Sequence, residues 1–138
     1  YAKDGHVLTL LDESYNANPT SMRAALEVFA QRPAEGRRVL VLGDMLELGE
    51  QSAELHRGIV DAVAEGKPDH VVLVGPEMSQ LLPLLEAKGI RAETRADVNA
   101  AGTDLVGQLD YGDLVMLKGS NGMGLSKLVT QIRHHFGQ

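Results

Sequence analysis

Four short aliphatic runs limit how this chain can fold: residues 7–11 (VLTLL), 39–42 (VLVL), 71–74 (VVLV) and 114–117 (LVML). Each has the length of a strand and is too short for a helix. The last three are apolar at odd and even positions alike, as strands covered on both faces of a parallel sheet must be. A weaker extended candidate lies at 90–94 (IRAET). Between these runs the apolar spacing changes to that of helices. Met22, Ala25, Leu26 and Phe29 mark the first helix, with Asn18 as N-cap and Pro19 in its first position. Leu55, Ile59, Val60 and Val63 mark the second, which closes near Gly66 with Pro68 beyond it. Leu81, Leu84 and Leu85 mark the third, with Pro83 in its first turns and Gly89 past its end. Val98, Leu105, Val106 and Leu109 mark the fourth behind a cap at Asp97, and Leu125, Leu128, Val129 and Ile132 mark the fifth. Strand and helix alternating in this way predict one α/β domain over residues 1–138. It is expected to be a Rossmann-like, open, doubly wound and mostly parallel sheet of about five to six strands with helices on both faces. Asp4-Gly5 is a hairpin-turn pair with only residues 1–3 before it, so the chain is expected to start inside a hairpin, as an excised domain would.

A chain of 138 residues can bury roughly 68% of its unfolded surface without disulfide or metal staples. Thirteen Lys and Arg against nineteen Asp and Glu leave a net charge of −6, which disfavours nucleic acid or an anionic membrane surface as the main partner. The absence of cysteine excludes disulfides, thiolate metal sites and a cysteine nucleophile. No apolar stretch approaches the ~20 residues of a membrane span, and YAKDGHVLTLL has neither a basic leader nor a small-residue cleavage site. A cytoplasmic monomer is expected. With two Phe, three Tyr and no Trp, the core must be aliphatic.

Ligands of such sheets bind beyond the carboxyl ends of the strands. The segments in those places are DESYNANP (12–19), GDMLELG (43–49), GPE (75–77) and KGSNGMG (118–124), all more polar than the strands that feed them. In the first, the carboxylates of Asp12 and Glu13 suit a ribose diol. The amides of Asn16 and Asn18 suit a base edge or a carboxylate, although Asn18 serves equally as a helix cap. In the last, Lys118, three glycines and Ser120 precede a helix, a setting for a carboxylate or phosphate. It is not a P-loop, because GxxxxGK[ST] occurs nowhere in the chain, and GxGxxG does not follow the first strand. Ser120 has no His–acid pair in its loop, which argues against a serine nucleophile. Asp44 could hold a substrate amine, orient Lys118 or form a turn. His56 lies inside the second helix, where a structural role competes with a functional one. His6, His70, His134 and His135 show no ligand spacing, and no metal site is expected.

DESYNANP, LGDMLELG followed by His56, and LKGSNGMG, in this order, resemble the C-terminal domain of the Mur ligase family over essentially the whole chain. The resemblance implies a three-domain ligase whose N-terminal domain takes a UDP-sugar peptide. Its central ATPase domain carries the P-loop and Mg2+, and neither domain is in this chain. ATP would activate a peptide carboxylate as an acyl phosphate, which an incoming amine attacks. Residues 15–19 (YNANP) are similar to the family member that adds D-alanyl-D-alanine to UDP-N-acetylmuramoyl-tripeptide in peptidoglycan synthesis. The implied partners are these two substrates, ATP and the chain's own central domain; the fragment alone is expected to be inactive. Carried onto this sequence, the resemblance puts Asp12, Glu13, Asn16 and Asn18 on the nucleotide side. It puts Tyr15, Asp44, Glu47, His56, Lys118, Gly119, Ser120 and Asn121 on the dipeptide side, and it assigns no catalytic residue here. Relatives commonly carry Asp-Asp in place of Asp12-Glu13, and many have Arg in place of Asn121.

Two other classes share parts of this pattern. A receiver-type signalling domain also has an acidic pair after its first strand and a Lys after its fifth, but it needs an Asp after the third, where this chain reads VGPE. Acetyl-phosphate labelling would distinguish it. A dinucleotide oxidoreductase domain is disfavoured by the missing glycine fingerprint, and nicotinamide-cofactor fluorescence would test it.

Overall fold

The computed structural model of the chain describes residues 2–137. β1 (Ala2–Lys3) and β2 (His6–Val7) form a small antiparallel hairpin. Asp4 (φ 54°) and Gly5 (φ 83°) stand at its tip, and two consecutive positive φ values match the twist of the flanking strands. Leu8 interrupts the chain before β3 (Thr9–Glu13) enters the main sheet. The strand expected at 7–11 is therefore divided, and its sheet portion runs two residues further. Asp12 and Glu13, expected in a loop, end a strand, and the pleat turns them to opposite faces.

The remaining elements follow in the expected alternation: α1 (Pro19–Gln31), β4 (Arg38–Gly43), α2 (Ser52–Arg57), α3 (Val60–Glu65), β5 (His70–Val74), α4 (Leu82–Ala87), β6 (Ala92–Arg95), α5 (Val98–Gln108), β7 (Leu114–Lys118) and α6 (Ser126–Phe136). The five-stranded sheet is parallel throughout, in the order β3-β7-β4-β5-β6. This differs from the 2-1-3-4-5 and 3-2-1-4-5-6 orders of the familiar doubly wound sheets, because the last strand is inserted between the first and the second. Leu40, Leu42, Leu73 and Met116 face α1, α3 and α4, while Val41, Val72, Val115 and Leu117 face α5 and α6. The two buried clusters explain why the central strands are apolar at both parities. Among the described residues no helix is long and apolar enough to cross a membrane.

The helix ends follow the sequence signals. The Asn18 side chain accepts the Ser21 N–H at 2.9 Å while the Ser21 hydroxyl accepts the Asn18 N–H at 3.0 Å, a reciprocal cap. Asp97 caps α5 through the Ala100 N–H, and Pro83 sits in the first turn of α4. Three expectations shift. The second helix is two short ones, α2 and α3, broken at Gly58, where the Ile59 N–H reaches back only three residues to His56. The weak strand is 92–95 rather than 90–94, because the Ile90 N–H closes α4 by bonding Leu85 behind Gly89 (φ 78°). Leu84 is exposed, since Leu81 and Leu85, four residues apart, take the buried stripe.

Candidate functional site

β3, β7 and β4 are neighbours, and the chain leaves β3 and β4 toward one face but leaves β7 toward the other. Such a divergence opens a crevice at the carboxyl ends of the strands. A cleft of about 510 Å3 lies there, bounded by residues 15–18, 46–48 and 120–122.

Ser120 ties the three walls together. Its hydroxyl accepts the Leu46 N–H at 2.8 Å and donates to the Ala17 carbonyl at 3.3 Å, and its own N–H donates to the Asp44 carbonyl at 3.1 Å. One side chain thus links the loops after β3, β4 and β7. Glycines permit the close approach. A Cβ on Gly119 would stand 2.8 Å from Leu125 Cδ1 and 3.0 Å from Gly43 Cα, and one on Gly122 would stand 2.8 Å from Leu46 Cδ1.

Lys118 is 3% exposed, and its ammonium donates to the Asn16 main-chain carbonyl at 2.8 Å. Burial pushes its pKa below the usual lysine value, and the Glu13 carboxylate partly offsets this. Glu13 and Lys118 are register partners on adjacent strands and share the α1 face, whereas Asp12 lies on the other face. There Asp12 accepts from Ser14 and stands 3.6 Å from Arg133 of α6. The acidic pair read as one unit in the sequence is therefore split, and the α1 face receives Glu13.

Asp44 and His56 lie behind the rim. Asp44 is buried, and its carboxylate accepts the Met78 N–H at 2.6 Å and the Glu77 N–H at 3.2 Å. Gly75 (φ 104°) leaves room for it; a Cβ there would fall 2.6 Å from the carboxylate. His56 is fully buried. Its Nε2 accepts the Met45 N–H at 2.9 Å, so Nδ1 carries the proton and donates to the Ser52 carbonyl at 2.7 Å. Neither side chain faces the cleft. His56 holds the backbone of the loop that does, at Met45, and the Asp44 carboxylate anchors that loop to the turn after β5.

Of the residues placed on the site from sequence, Tyr15, Asn16, Asn18, Glu47, Ser120 and Asn121 line the cleft together. Asn18 spends its side-chain oxygen on the helix cap. Lys118, Gly119, Asp44 and His56 support the walls from behind. Sequence reasoning missed Leu46, which is exposed in the cleft wall; a leucine within an apolar pattern carries no mark of its exposure. A larger groove of about 900 Å3 lies at the opposite edge, beside Arg37, His70 and Glu93. Its charges are largely occupied with one another and with the fold: His70 pairs with Glu93 at 3.2 Å and Arg37 with Asp113 at 3.3 Å.

The sequence profile of the family described as Mur ligase, glutamate ligase domain, matches residues 2–121. The chain belongs to the Mur ligase family. Its relatives include the UDP-N-acetylmuramoyl-tripeptide–D-alanyl-D-alanine ligases of Treponema pallidum, 37% identical over 91% of this chain and 28% of that protein, and of Rickettsia prowazekii, 36% identical over 83% of this chain and 25% of that protein. The chain thus spans about a quarter of the length of the curated relatives it matches. A crystal structure of MurF from Acinetobacter baumannii superposes with a TM-score of 0.74 at 30% identity, over 88% of this chain and 27% of that one. The MurF ligase of Thermotoga maritima in complex with ADP gives 0.72 at 23% identity, over 99% of this chain and 30% of that one, and speaks for the fold. Within this Mur ligase domain, all three sequence motifs meet at one rim.

Proposed function

We propose that this chain is the C-terminal domain of an ATP-dependent ligase that joins D-alanyl-D-alanine to UDP-N-acetylmuramoyl-tripeptide, a step of peptidoglycan precursor synthesis in the cytoplasm. The relatives that carry this name support the reading, and one structural observation carries it further. The loops after β3, β4 and β7 converge through Ser120 on a cleft that is open to solvent. A half-cleft suits a reaction completed by an apposed domain. In this reading the complete enzyme is a monomer whose central domain holds the triphosphate and Mg2+, and the present domain closes over it.

When bound, ATP supplies the phosphoryl group that turns the tripeptide carboxylate into an acyl phosphate. Glu13, Asn16 and Asn18 are the groups this domain offers to the nucleotide, a carboxylate for a diol and amides for a base edge. They do not provide for a triphosphate or its metal: the chain has no P-loop. Among the described residues no group of three or more His, Asp or Glu could hold a metal ion. No phosphoryl-transfer step is therefore assigned to this domain. Tyr15, Glu47, Ser120 and Asn121 form the dipeptide wall, and the buried Lys118, Asp44 and His56 keep it in place.

The test is reconstitution of the full-length ligase. It should release ADP and phosphate only when tripeptide precursor and D-alanyl-D-alanine are both present, and the isolated chain should release none. Turnover that ignores the dipeptide would refute the reading.

A further inference from the structure

We propose that Glu47 is a specificity-determining residue of the dipeptide wall, its carboxylate binding the α-ammonium of the incoming nucleophile. The inference rests on the ligase reading above and deepens it.

The charge of the cleft is the first ground. Sequence reasoning gave the dipeptide side a cation, Lys118, for a substrate carboxylate. The structure buries that cation beneath the Asn16 carbonyl, outside the cleft lining. Among the described lining residues Glu47 is the one ionisable group apart from the Tyr15 phenol, and no Lys, Arg or His stands with it. A wall that carries a single carboxylate selects the cationic end of a zwitterion and repels the anionic end. Glu47 is exposed, and among the described residues its carboxylate has no partner. The side chain of Asn121, on the wall after β7, also has no partner among the described residues, and its amide N–H groups suit the substrate's carboxylate.

The presentation of Glu47 is the second ground. The three residues before it each give their backbone N–H to a different element. Asp44 donates to Val74 at 3.2 Å, Met45 to His56 at 2.9 Å and Leu46 to Ser120 at 2.8 Å. At the end of this tethered segment Glu47 takes φ 62°, a conformation that L side chains rarely adopt. A glycine would sit there without strain, and Gly49 does so two residues on, at φ 70°. The fold instead tolerates a carboxylate at the strained position, exposed in the lining of the cleft.

The full-length ligase tests this. Glu47→Gln removes the charge and keeps the length, Glu47→Gly removes the charge and relieves the backbone, and Glu47→Asp keeps the charge. Glu47→Gln and Glu47→Gly should each raise the KM for D-alanyl-D-alanine about tenfold with the KM for ATP unchanged, and Glu47→Asp should recover most of the loss. N-acetyl-D-alanyl-D-alanine, which lacks the ammonium and keeps the carboxylate, should inhibit Glu47→Gln at least as well as wild type. Unchanged dipeptide KM in Glu47→Gln would overturn the assignment, as would a loss confined to Glu47→Gly, which would mark a backbone role. Wild-type enzyme that ignores the dipeptide would instead refute the ligase reading, so the two failures are distinguishable.

Discussion

The ammonium of Lys118 lies between two opposed influences from neighbouring strands: burial at the end of β7 disfavours its charge, while Glu13, its register partner on β3, favours it. Burial prevails, so the folded-state pKa lies below the unfolded value. The unfolded chain then binds more protons than the folded one in the interval between those two values, and stability from this group rises with pH through that interval. Lys118→Met, which keeps the aliphatic stem and removes the charge, should abolish this rise. Urea denaturation of both proteins at neutral pH and near pH 10 measures it; parallel changes in the two would contradict the burial argument.

Ser120→Ala removes one oxygen that serves two walls. The expected loss is about 1–2 kcal/mol, the sum of two modest hydrogen bonds. The distinctive signature is local: amide exchange should accelerate at Leu46, whose N–H loses its acceptor, and remain slow in the centre of β4.

Gly75 and Gly49 both have positive φ, yet they differ in their surroundings. A Cβ at Gly75 meets the Asp44 carboxylate, whereas one at Gly49 meets nothing within 4 Å. Gly49→Ala should therefore cost only the conformational term, about 1 kcal/mol. Gly75→Ala should cost about 2–4 kcal/mol, because it also displaces a buried carboxylate from two N–H groups. Thermal unfolding of the two variants gives the comparison directly, and equal costs would refute it.

His56→Phe fills the imidazole's space and somewhat more, and it can accept nothing from Met45. It should destabilise the domain by about 1–3 kcal/mol, the cost of a buried N–H left without a partner. A Phe variant as stable as wild type would show that His56 acts by volume alone.

Much of this architecture was legible because it rests on local chemistry. Runs such as VLVL require cover on both faces, and Asn18-Pro19 and Asp97 announce helix starts wherever they occur. The three motif loops were legible as one site because parallel strands deliver their carboxyl ends to one edge. The direction of individual side chains was not. Asp12 and Glu13 separate because β3 runs two residues further than its apolar run, and a two-residue extension is invisible when the added residues are polar. Lys118 was expected to meet solvent or substrate, but its carbonyl partner lies 102 residues earlier in the chain, a pairing that only the sheet order creates. His56 and Asp44 stand in a motif with functional residues, and nothing in their spacing distinguishes support from contact.

The position of β7 between β3 and β4 has a consequence for biosynthesis. While the polypeptide emerges from the ribosome, β3 has no neighbour to pair with until residue 118 has cleared the exit tunnel, since β7 contributes every ladder bond that β3 makes in the large sheet. The first strand of the large sheet is thus the last of its strands to be secured. A nascent chain arrested before β7 would hold β4, β5 and β6 in order with β3 dangling, and it would lack any binding rim.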